Sequence, residues 1–520
     1  MRRHWVRFCR SVCAGLLMAL VAAGLAWGGS VQDRAEDPAV VSASILPELA
    51  GTPVERIFVF RYDSASGGFV PIPFQVDERV DHVIDAGSTP NVHEVMYDVF
   101  GEDDGLLDSL DEIALMYADA GDQAPSGAAW PARVDPDRFE IRIADPRPGG
   151  PYPDRFAYVF TGIGLTRSAT HYVSWSELPA STVSSAKFSV EYQDNWILTG
   201  YRVASPCGTG DNLLDRVKGR AGLSPQQAES ENTWNATSQF LGGIEGPVRS
   251  IRYVRGAASG IDTVHHDVIY RGLWDRVVNL RVHPINGVWL YFDMLPRSGT
   301  TFLASTVRAG VPVDGVNDAV PATLPAWTIL RGTGGGLATV WDVPPSPFYG
   351  SARIYYRDDA SYNDAPALEP DYADRDNSAI GDHGVYLDGL TSSTTDTIPA
   401  SFRLYPLCAS VGDATLGDTY RQVYDAPLQM TATRQSEAAS AVRNLSLSRS
   451  GIDAVLSWAP VDGALGYRVY SSTDPAQSRE SWTLLGTPVS LGFVDAGACG
   501  DTVPRFYSVT AVSLAGEGPW

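Results

Sequence analysis

The sequence is poor in lysine and rich in acidic residues. Lys187 and Lys218 are its only lysines, so arginine carries almost all of its positive charge, which is typical of a GC-rich bacterial genome. The 61 acidic residues outnumber the 39 basic ones, and the formal net charge is −22. A field of that sign repels phosphate backbones, so the composition argues against nucleic acid as a partner and favours solubility and the capture of cations.

Cysteine is also scarce. Of the five cysteines, Cys9 and Cys13 lie near the N-terminus, and Cys207, Cys408 and Cys499 are far apart in sequence. This spacing excludes a dense disulfide framework and a Cys-x-x-Cys metal site. One disulfide is compatible with an oxidising compartment, with Cys207 and Cys408 as a candidate pair. We expect Cys499 to be a small buried residue, because no histidine lies near it in sequence.

The standard catalytic signatures are missing. The sequence has no G-x-S-x-G nucleophile elbow, no H-E-x-x-H zinc motif, no phosphate-binding loop and no dinucleotide fingerprint. A glycosidase needs only two carboxylates at the right separation. Such a pair cannot be chosen from 61 acidic residues, so the sequence neither identifies nor excludes it.

Long apolar runs are absent except near the N-terminus. The run from Ala14 to Trp27, about 14 residues, is too short to span a bilayer comfortably and fits the core of a cleaved signal peptide. Small residues at Ala26 and Gly28 predict cleavage after residue 28, and the run follows four basic residues, Arg2, Arg3, Arg7 and Arg10. We therefore expect a signal peptide at 1–28, no transmembrane segment after its removal, and a secreted, periplasmic or cell-surface location.

Strand patterns recur about every ten to fifteen residues over the rest of the chain. Residues 56–63 and 69–77 flank a Ser-Gly-Gly turn, and residues 138–144 and 156–163 flank a Pro/Gly-rich one. Only residues 211–227 look helical or irregular. The pattern predicts an all-β fold and disfavours an α/β enzyme with a parallel sheet.

The length after signal cleavage, about 490 residues, predicts roughly three domains. We place an N-terminal β domain at 31–180, a central β-sandwich at 181–437 and a C-terminal domain at 438–520, the last after the polar linker TATRQSEAAS. The fold class is therefore a multi-domain set of β-sandwiches.

The C-terminal domain carries aromatic residues in a recognisable pattern. Trp458, Tyr467, Tyr470 and Tyr507 lie in the segments AVLSWAPVDGALGYRVYSS and FYSVTAVSLAGEG. From about residue 440 to 520 the chain resembles a fibronectin type III module, which implies an immunoglobulin-like sandwich, a role as an extracellular spacer, and Tyr507 as the tyrosine corner. The resemblance lacks the last strand, which favours either a fragment or completion of the edge by a partner strand.

An acidic loop within residues 98–112 is the best chemical motif. Around the turn glycine Gly105 it resembles the D-x-D-x-D-G-x-x-D-x-x-D calcium loops of secreted proteins, although Phe100 occupies the first ligand position. Several carboxylates around a tight glycine turn suit a hard cation that takes six to eight oxygens. We predict a structural calcium site, with an acidic solvated loop as the alternative, and the candidate ligands are Glu102, Asp104, Asp108, Asp111 and Glu112.

A second candidate site surrounds residues 277–294. Asn286-Gly287 is a strong hairpin signal, and the predicted hairpin turns Trp289 and Tyr291 to the core while Leu290 and Phe292 lie on the other face. Aromatic rings beside charged groups suit a sugar-binding cleft, and a polar rim on a sandwich is the alternative. The candidate catalytic or substrate-orienting residues are His265, His266, Tyr270, Arg281 and His283.

These observations support two functional hypotheses. The first is an exported, non-catalytic bacterial β protein that binds a glycan or a cell-surface protein, with a calcium-stabilised loop and a fibronectin-like spacer. The alternative is a secreted polysaccharide hydrolase or lyase that carries an accessory module. An enzyme should gather its histidines and carboxylates in one deep cleft, whereas a binding protein should present a shallow aromatic surface.

Overall fold

The computed structural model of the chain describes residues 34–518, apart from residues 86–90, 127, 151, 177–180, 194, 225–226, 257–262, 282–284, 296, 363–378, 391–396, 437–440, 462–463 and 514–515. The described chain folds almost entirely into antiparallel β-sheets, which confirms the all-β, multi-domain prediction. Among the described residues, no helix is long and apolar enough to cross a membrane.

The N-terminal region contains nine strands. They are β1 Pro38–Ser42, β2 Ile57–Asp63, β3 Gly68–Pro71, β4 Gln75–Asp77, β5 Arg79–Asp85, β6 Val92–Tyr97, β7 Glu112–Met116, β8 Val134–Ala144 and β9 Arg155–Gly162. The two predicted hairpins are confirmed, since β2 pairs with β3 and β8 pairs with β9.

The described residues of the central region form nineteen strands and two α-helices. The strands are β10 Val173–Ser176, β11 Ser181–Ser185, β12 Phe188–Tyr192, β13 Leu198–Val203, β14 Leu214–Ser224, β15 Gln227–Ser230, β16 Gln239–Glu245, β17 Arg249–Gly256, β18 Thr263–Tyr270, β19 Trp274–Leu280, β20 Ile285–Met294, β21 Thr301–Ala304, β22 Val307–Pro312, β23 Trp327–Gly332, β24 Gly335–Asp342, β25 Ser351–Asp359, β26 Ala379–Leu390, β27 Ile398–Leu407 and β28 Gln429–Ser436. The helices are α1 Glu231–Thr237 and α2 Ala414–Asp425.

The helix assignments correct one prediction. Residues 211–227, which looked helical or irregular, contain the long strand β14, and the helices lie at α1 and α2 instead. Pairing with β20 and β15 on its two sides holds β14 in the sheet and overrides the weak local pattern. Gly332, Gly334, Gly335 and Gly336 lie at the turn between β23 and β24.

The sheets stack in layers that share cores. In the N-terminal region, the sheet β1-β7-β4 packs on the sheet β28-β8-β9-β2-β3. Strand β7 serves two cores, because successive strand residues point to opposite faces. Ile113 and Leu115 pack into the N-terminal sandwich, while Ala114 and Met116 pack against the central region.

A nine-stranded sheet, β16-β17-β18-β19-β27-β24-β23-β21-β22, forms the centre of the molecule. One of its faces packs on β5, β6, β7 and α2. The other face packs on the five-stranded sheet β15-β14-β20-β26-β25 and the four-stranded sheet β10-β11-β12-β13. Residues in β18 alternate between these two cores, with Ile269 in one and Val268 in the other.

The last central strand returns to the N-terminal sheet. Strand β28 pairs along β8 from Gln429 opposite Ala144 to Ser436 opposite Asp137. Residues 429–436, which we expected in the central domain, therefore complete the first sandwich. The boundary that the sequence places near residue 437 falls after this strand.

A buried arginine joins the two regions. Arg249, at the start of β17, has a side chain that is 1% exposed. Its guanidinium donates to Asp77 of β4 at 2.8 Å, to Glu112 of β7 at 2.8 Å and to the hydroxyl of Tyr270 at 2.9 Å. These three acceptors together give the buried guanidinium the charge-assisted hydrogen bonds that a buried cation requires.

The C-terminal region contains seven described strands. They are β29 Ser446–Ser450, β30 Asp453–Ser457, β31 Gly466–Ser472, β32 Thr483–Gly486, β33 Gly492–Asp495, β34 Phe506–Ser513 and β35 Gly516–Glu517. They form a sheet of three, β29-β30-β33, and a sheet of four, β32-β31-β34-β35. The two-residue strand β35 pairs with β34, so it partly occupies the edge that we expected to be open.

Three of the four signature aromatics face the core between these sheets. Trp458 and Tyr467 are 5% exposed, with ring centroids 5.3 Å apart, and Tyr507 packs beside them. The hydroxyl of Tyr507 donates to the Asp495 carboxylate at 2.9 Å. Tyr470 lies three positions from Tyr467 and so on the opposite face of β31, where its hydroxyl bonds to Glu517. Membership of the fibronectin type III family stays a prediction.

The cysteines divide as the candidate pairing suggested. Cys207 and Cys408 form a disulfide across 201 residues of sequence. Cys499 is free and half-buried, not fully buried as we expected, because it lies in a surface loop of the C-terminal sandwich.

We expect Arg249→Leu to lower the free energy of unfolding by roughly 3–5 kcal/mol, because it leaves the buried carboxylate of Asp77 without its cation and removes one of the two cations that pair with Glu112. Urea unfolding of the full chain measures the change. The control is Arg308→Leu, which removes an ion pair with Asp418 in which both side chains are largely exposed, and which should change stability little. Equal effects of the two substitutions would contradict the assigned role of Arg249.

Candidate functional site

The predicted catalytic residues of β18 lie on opposite faces of the nine-stranded sheet. His265 shares its face with Asp267, whose carboxylate accepts from the hydroxyl of Tyr192 at 2.9 Å and from the indole of Trp274 at 2.8 Å. Arg276 donates to both oxygens of the same carboxylate, at 3.1 and 3.0 Å. Asp267 is therefore held by three fixed donors inside the core.

His265 itself is enclosed. It is fully buried, and its ring centroid lies 4.3 Å from that of Trp196. Burial lowers the pKa of His265 to about 3, and Arg276 adds to the shift, so the ring is neutral at physiological pH. The adjoining cavity has about 20 Å³ of space for water-sized molecules. That volume holds about one water and admits no polysaccharide.

The other candidates also belong to packed networks. His266 stacks on Tyr253 at 4.7 Å, and burial lowers its pKa to about 4. Tyr270 bonds to Arg249 at the junction described above. Arg281 forms an ion pair with Glu94 of β6 at 2.8 Å. His283 lies outside the described residues. These side chains do not converge on one open cleft.

The predicted hairpin around Asn286-Gly287 is wrong. Strand β19 pairs with β18 and β27 in the nine-stranded sheet, whereas β20 pairs with β14 and β26 in the five-stranded sheet. Gly287 lies inside β20, opposite Gly222 and Asp388. The chain crosses from one layer of the sandwich to the other between these strands, so no hairpin forms.

The crossing also inverts the predicted faces of β20. Leu290 and Phe292 point into the core, while Trp289 and Tyr291 share the opposite face of the five-stranded sheet. Trp289 lies beside Tyr386 of β26, and Tyr386 lies beside Arg353 of β25. Of the two residues that we expected in the core, Tyr291 is buried, with 4% of its surface exposed, whereas Trp289 is partly exposed on the outer side of the sheet.

Gly287 makes room for the stacked rings of Trp289 and Tyr386. The rings of Trp289 and Tyr386 stack with centroids 4.4 Å apart and planes at 17°. A Cβ added to Gly287 would lie 2.3 Å from the Tyr386 ring, so the ring occupies the space above this glycine. Close approach of another group is a common reason for glycine within a strand.

Polar groups surround the outer side of Tyr386. Arg353 forms an ion pair with Asp388, and their side chains are 45% and 35% exposed. Asp388 also accepts from the hydroxyl of Tyr386 at 3.2 Å, and Arg353 donates to Ser351 at 3.1 Å. We call this group the Trp289–Tyr386 surface, and its members are Trp289, Tyr386, Arg353, Asp388 and Ser351.

This surface combines features that recognise a sugar. Both rings are partly exposed, and an aromatic ring offers an apolar face or edge to the C–H groups of a pyranose. The carboxylate of Asp388 can accept from hydroxyl groups, and Arg353 and Ser351 can donate to them. Sequence reasoning missed Tyr386, because the strand that carries it, β26, lies almost one hundred residues after β20 in the chain. Gly287 was the available signal, since a lone glycine within a strand can indicate a close contact.

The carboxylates of the acidic loop accept hydrogen bonds from backbone N–H groups, most of them within the loop itself. Asp104 and Asp108 each accept the N–H two residues further along, at 3.0 and 2.6 Å. Asp111 is fully buried and accepts from the backbone N–H groups of Asp108 and Arg79, at 2.7 and 2.9 Å. These hydrogen bonds stabilise the conformation of the loop.

The remaining predicted calcium ligands contact cationic or basic side chains. Glu102 lies 3.0 Å from the Nδ1 atom of His82, and Glu112 pairs with Arg79 and Arg249 at 3.0 and 2.8 Å. Among the described residues, no three His, Cys, Asp or Glu side chains are arranged to hold a metal ion. Calcium binding by this loop stays a prediction.

Glu78 joins this acidic group, which the sequence did not indicate. Burial raises the pKa of Glu78 to about 7, and the nearby carboxylates of Asp103 and Asp111 add to the shift. One oxygen of Glu78 is buried without a hydrogen-bond partner among the described residues. Concentrated negative charge is thus only partly compensated here.

Comparison with known proteins does not assign a family. No protein-family model and no curated protein matches the chain. Among solved structures, the chain is similar to a copper-containing benzylamine oxidase from Hansenula polymorpha, with a TM-score of 0.25 and 9% identity over 69% of this chain and 80% of that chain. A similarity at this level carries no argument about function.

The raised pKa of Glu78 predicts a pH dependence of stability. In the unfolded chain the carboxyl group ionises near its ordinary value of 4.5, whereas in the folded protein it ionises near 7. The folded state therefore binds more protons between these values, and stability should fall as the pH rises through this window. Thermal unfolding at pH 4.5 to 7.5, a range chosen around those two pKa values, measures the decline.

Glu78→Gln should flatten the decline, because it removes the group that ionises. The control is Glu48→Gln, which replaces an exposed glutamate of the same region and should leave the pH profile unchanged. An identical slope in wild type and Glu78→Gln would rule out the assigned environment of Glu78.

Proposed function

We propose that this chain is an exported bacterial protein that binds a glycan, without catalysis, at the Trp289–Tyr386 surface. The observation that carries the proposal is the stacked, partly exposed ring pair beside Arg353 and Asp388. This is the shallow aromatic surface expected of a binding protein. A cell-surface protein is a second type of partner that the same surface could engage.

Several features support export. The basic and apolar pattern of residues 1–28 fits a signal peptide, although it lies outside the described residues. The disulfide between Cys207 and Cys408 suits an oxidising compartment. A seven-stranded C-terminal sandwich in sheets of three and four is compatible with a fibronectin type III spacer.

The hydrolase or lyase hypothesis receives less support from the geometry. A general acid or base must reach the substrate and hold a suitable pKa. His265 is buried, His266 is half-buried against Tyr253, and their lowered pKa values keep both rings neutral at physiological pH. No described observation favours this alternative over binding.

The proposal predicts that a glycan array screened with the full chain identifies at least one ligand, and that Trp289→Ala weakens its binding roughly tenfold through loss of ring contact. Gly287→Ala should weaken binding as well, because the added Cβ displaces the Tyr386 ring. Titration of the array hit, with thermal unfolding to confirm folding, measures both effects.

The matched control is Trp482→Ala, which removes a partly exposed tryptophan of the C-terminal sandwich and should not alter binding. Equal affinity of wild type and Trp289→Ala would disprove the assigned surface. Release of new reducing ends or unsaturated products from the bound glycan would instead support the hydrolase or lyase hypothesis.

We also propose that calcium stabilises the acidic loop, as its sequence pattern predicts. Calcium should raise the midpoint of thermal unfolding relative to chelator, because bound cation neutralises the carboxylates around Glu78. Asp104→Ala combined with Asp108→Ala should abolish this rise. A control pair, Asp474→Ala with Asp501→Ala in the C-terminal sandwich, should retain it. No difference between calcium and chelator would refute the prediction.

A further inference from the structure

Strand β29 has an open edge. It stands at the end of the three-stranded sheet and pairs only with β30 among the described strands. All five residues, Ser446 to Ser450, are exposed. Proteins usually protect such an edge with proline, charged side chains or a bulge. Strand β29 contains no proline, its single charged residue is Arg449, and its pairing with β30 has no register shift.

Backbone chemistry at this edge suits a strand partner. In an antiparallel pair, alternate residues direct their N–H and C=O groups away from the neighbouring strand. No described strand receives these groups from β29. An extended peptide laid along the edge would satisfy them with a regular ladder, whereas a compact ligand would reach only one or two.

A groove lies beside the edge. It has a volume of about 500 Å³ and separates β29 from the loop that leads into β34. Residues that line it include Leu447, Arg449, Cys499, Val503, Arg505 and Tyr507.

The groove has an uncovered apolar wall. Leu447 pairs with Leu456, which in turn pairs with Phe493, so the three side chains share the inner face of the sheet. Leu456 is 1% exposed, yet Leu447 is 57% exposed and Val503 on the opposite wall is 46% exposed. An inner-face leucine left in solvent marks a surface that another apolar side chain can cover.

The charge of the groove restricts the partner. Arg449 donates to the backbone oxygens of Gly451 and Cys499 and forms no ion pair with a described residue. Arg505, on the other wall, pairs with Asp501. The groove therefore holds one cation without a carboxylate partner, although the chain as a whole carries a net charge of −22. An acidic side chain on the partner would complement it.

We propose that the edge of β29 and the adjoining groove bind an extended strand of a partner protein by β-augmentation. The strand places alternate apolar side chains into the groove against Leu447 and Val503, and an acidic side chain contacts Arg449. Backbone pairing supplies the affinity, and the groove supplies the side-chain preference. This site is separate from the Trp289–Tyr386 surface and does not depend on glycan binding.

The test uses the full chain and a synthetic peptide, TETVTVTET, whose valine and glutamate side chains all project to the same face of an extended strand. We expect the peptide to slow amide hydrogen exchange in β29 and to bind in isothermal titration. The control peptide TETVPVTET keeps these valines and glutamates but lacks one backbone N–H and cannot extend as a regular strand, so it should bind roughly tenfold more weakly or not at all.

Variants identify the surface. Leu447→Asp should weaken TETVTVTET binding roughly tenfold, because it removes apolar contact area and repels the glutamate side chains. The control is Leu491→Asp, at a leucine of the same sandwich that is 42% exposed and does not line the groove, and it should leave binding unchanged. Thermal unfolding confirms that both variants fold.

Two outcomes would overturn the proposal. One is the absence of exchange protection in β29 at saturating peptide, which would mean that the edge is closed or already covered in solution. The other is binding that Leu447→Asp leaves intact, which would place the peptide elsewhere on the chain.

Discussion

The hydrogen-bonded charge of Arg249 is the constraint on which the layered structure depends. Its partners Asp77 and Glu112 belong to the three-stranded N-terminal sheet, while Arg249 and Tyr270 belong to the nine-stranded sheet. A buried cation of this kind is tolerated only when every partner is in place. It therefore fixes the spacing and register of the two sheets. Strand β7 can then fill one core with Ile113 and another with Met116.

Local signals predicted the parts of the fold that form locally. The hairpins β2–β3 and β8–β9 join strands that are close in sequence, and turn residues with alternating apolar residues are sufficient to specify them. The aromatic pattern around Trp458 correctly indicated a buried ring, because burial in a small sandwich depends mainly on residues within that sandwich.

Non-local contacts decided the parts that the sequence did not predict. Asn286-Gly287 satisfies every local rule for a hairpin, yet Gly287 lies inside a strand, where its missing side chain leaves space for the ring of Tyr386. The histidines of β18 resembled catalytic groups because they stand beside Asp267 and Tyr270, but strand alternation sends His265 and His266 into different cores. The local pattern of a strand does not show which other strand it pairs with. That pairing decides whether a given side chain lies in a core or on the surface.

The return of β28 to the first sheet has a consequence for how the chain folds. Strand β8 pairs with a strand that lies almost three hundred residues further along the chain. Arg138 of β8 bonds to Gln435 of that strand across 297 positions. Until that segment has been synthesised, the N-terminal sheet presents β8 as an unpaired edge. Contacts so distant in sequence slow folding, because loop closure must precede any stabilising interaction. A chaperone that shields β8 during synthesis would therefore increase the yield of folded protein more than one that acts on the C-terminal sandwich.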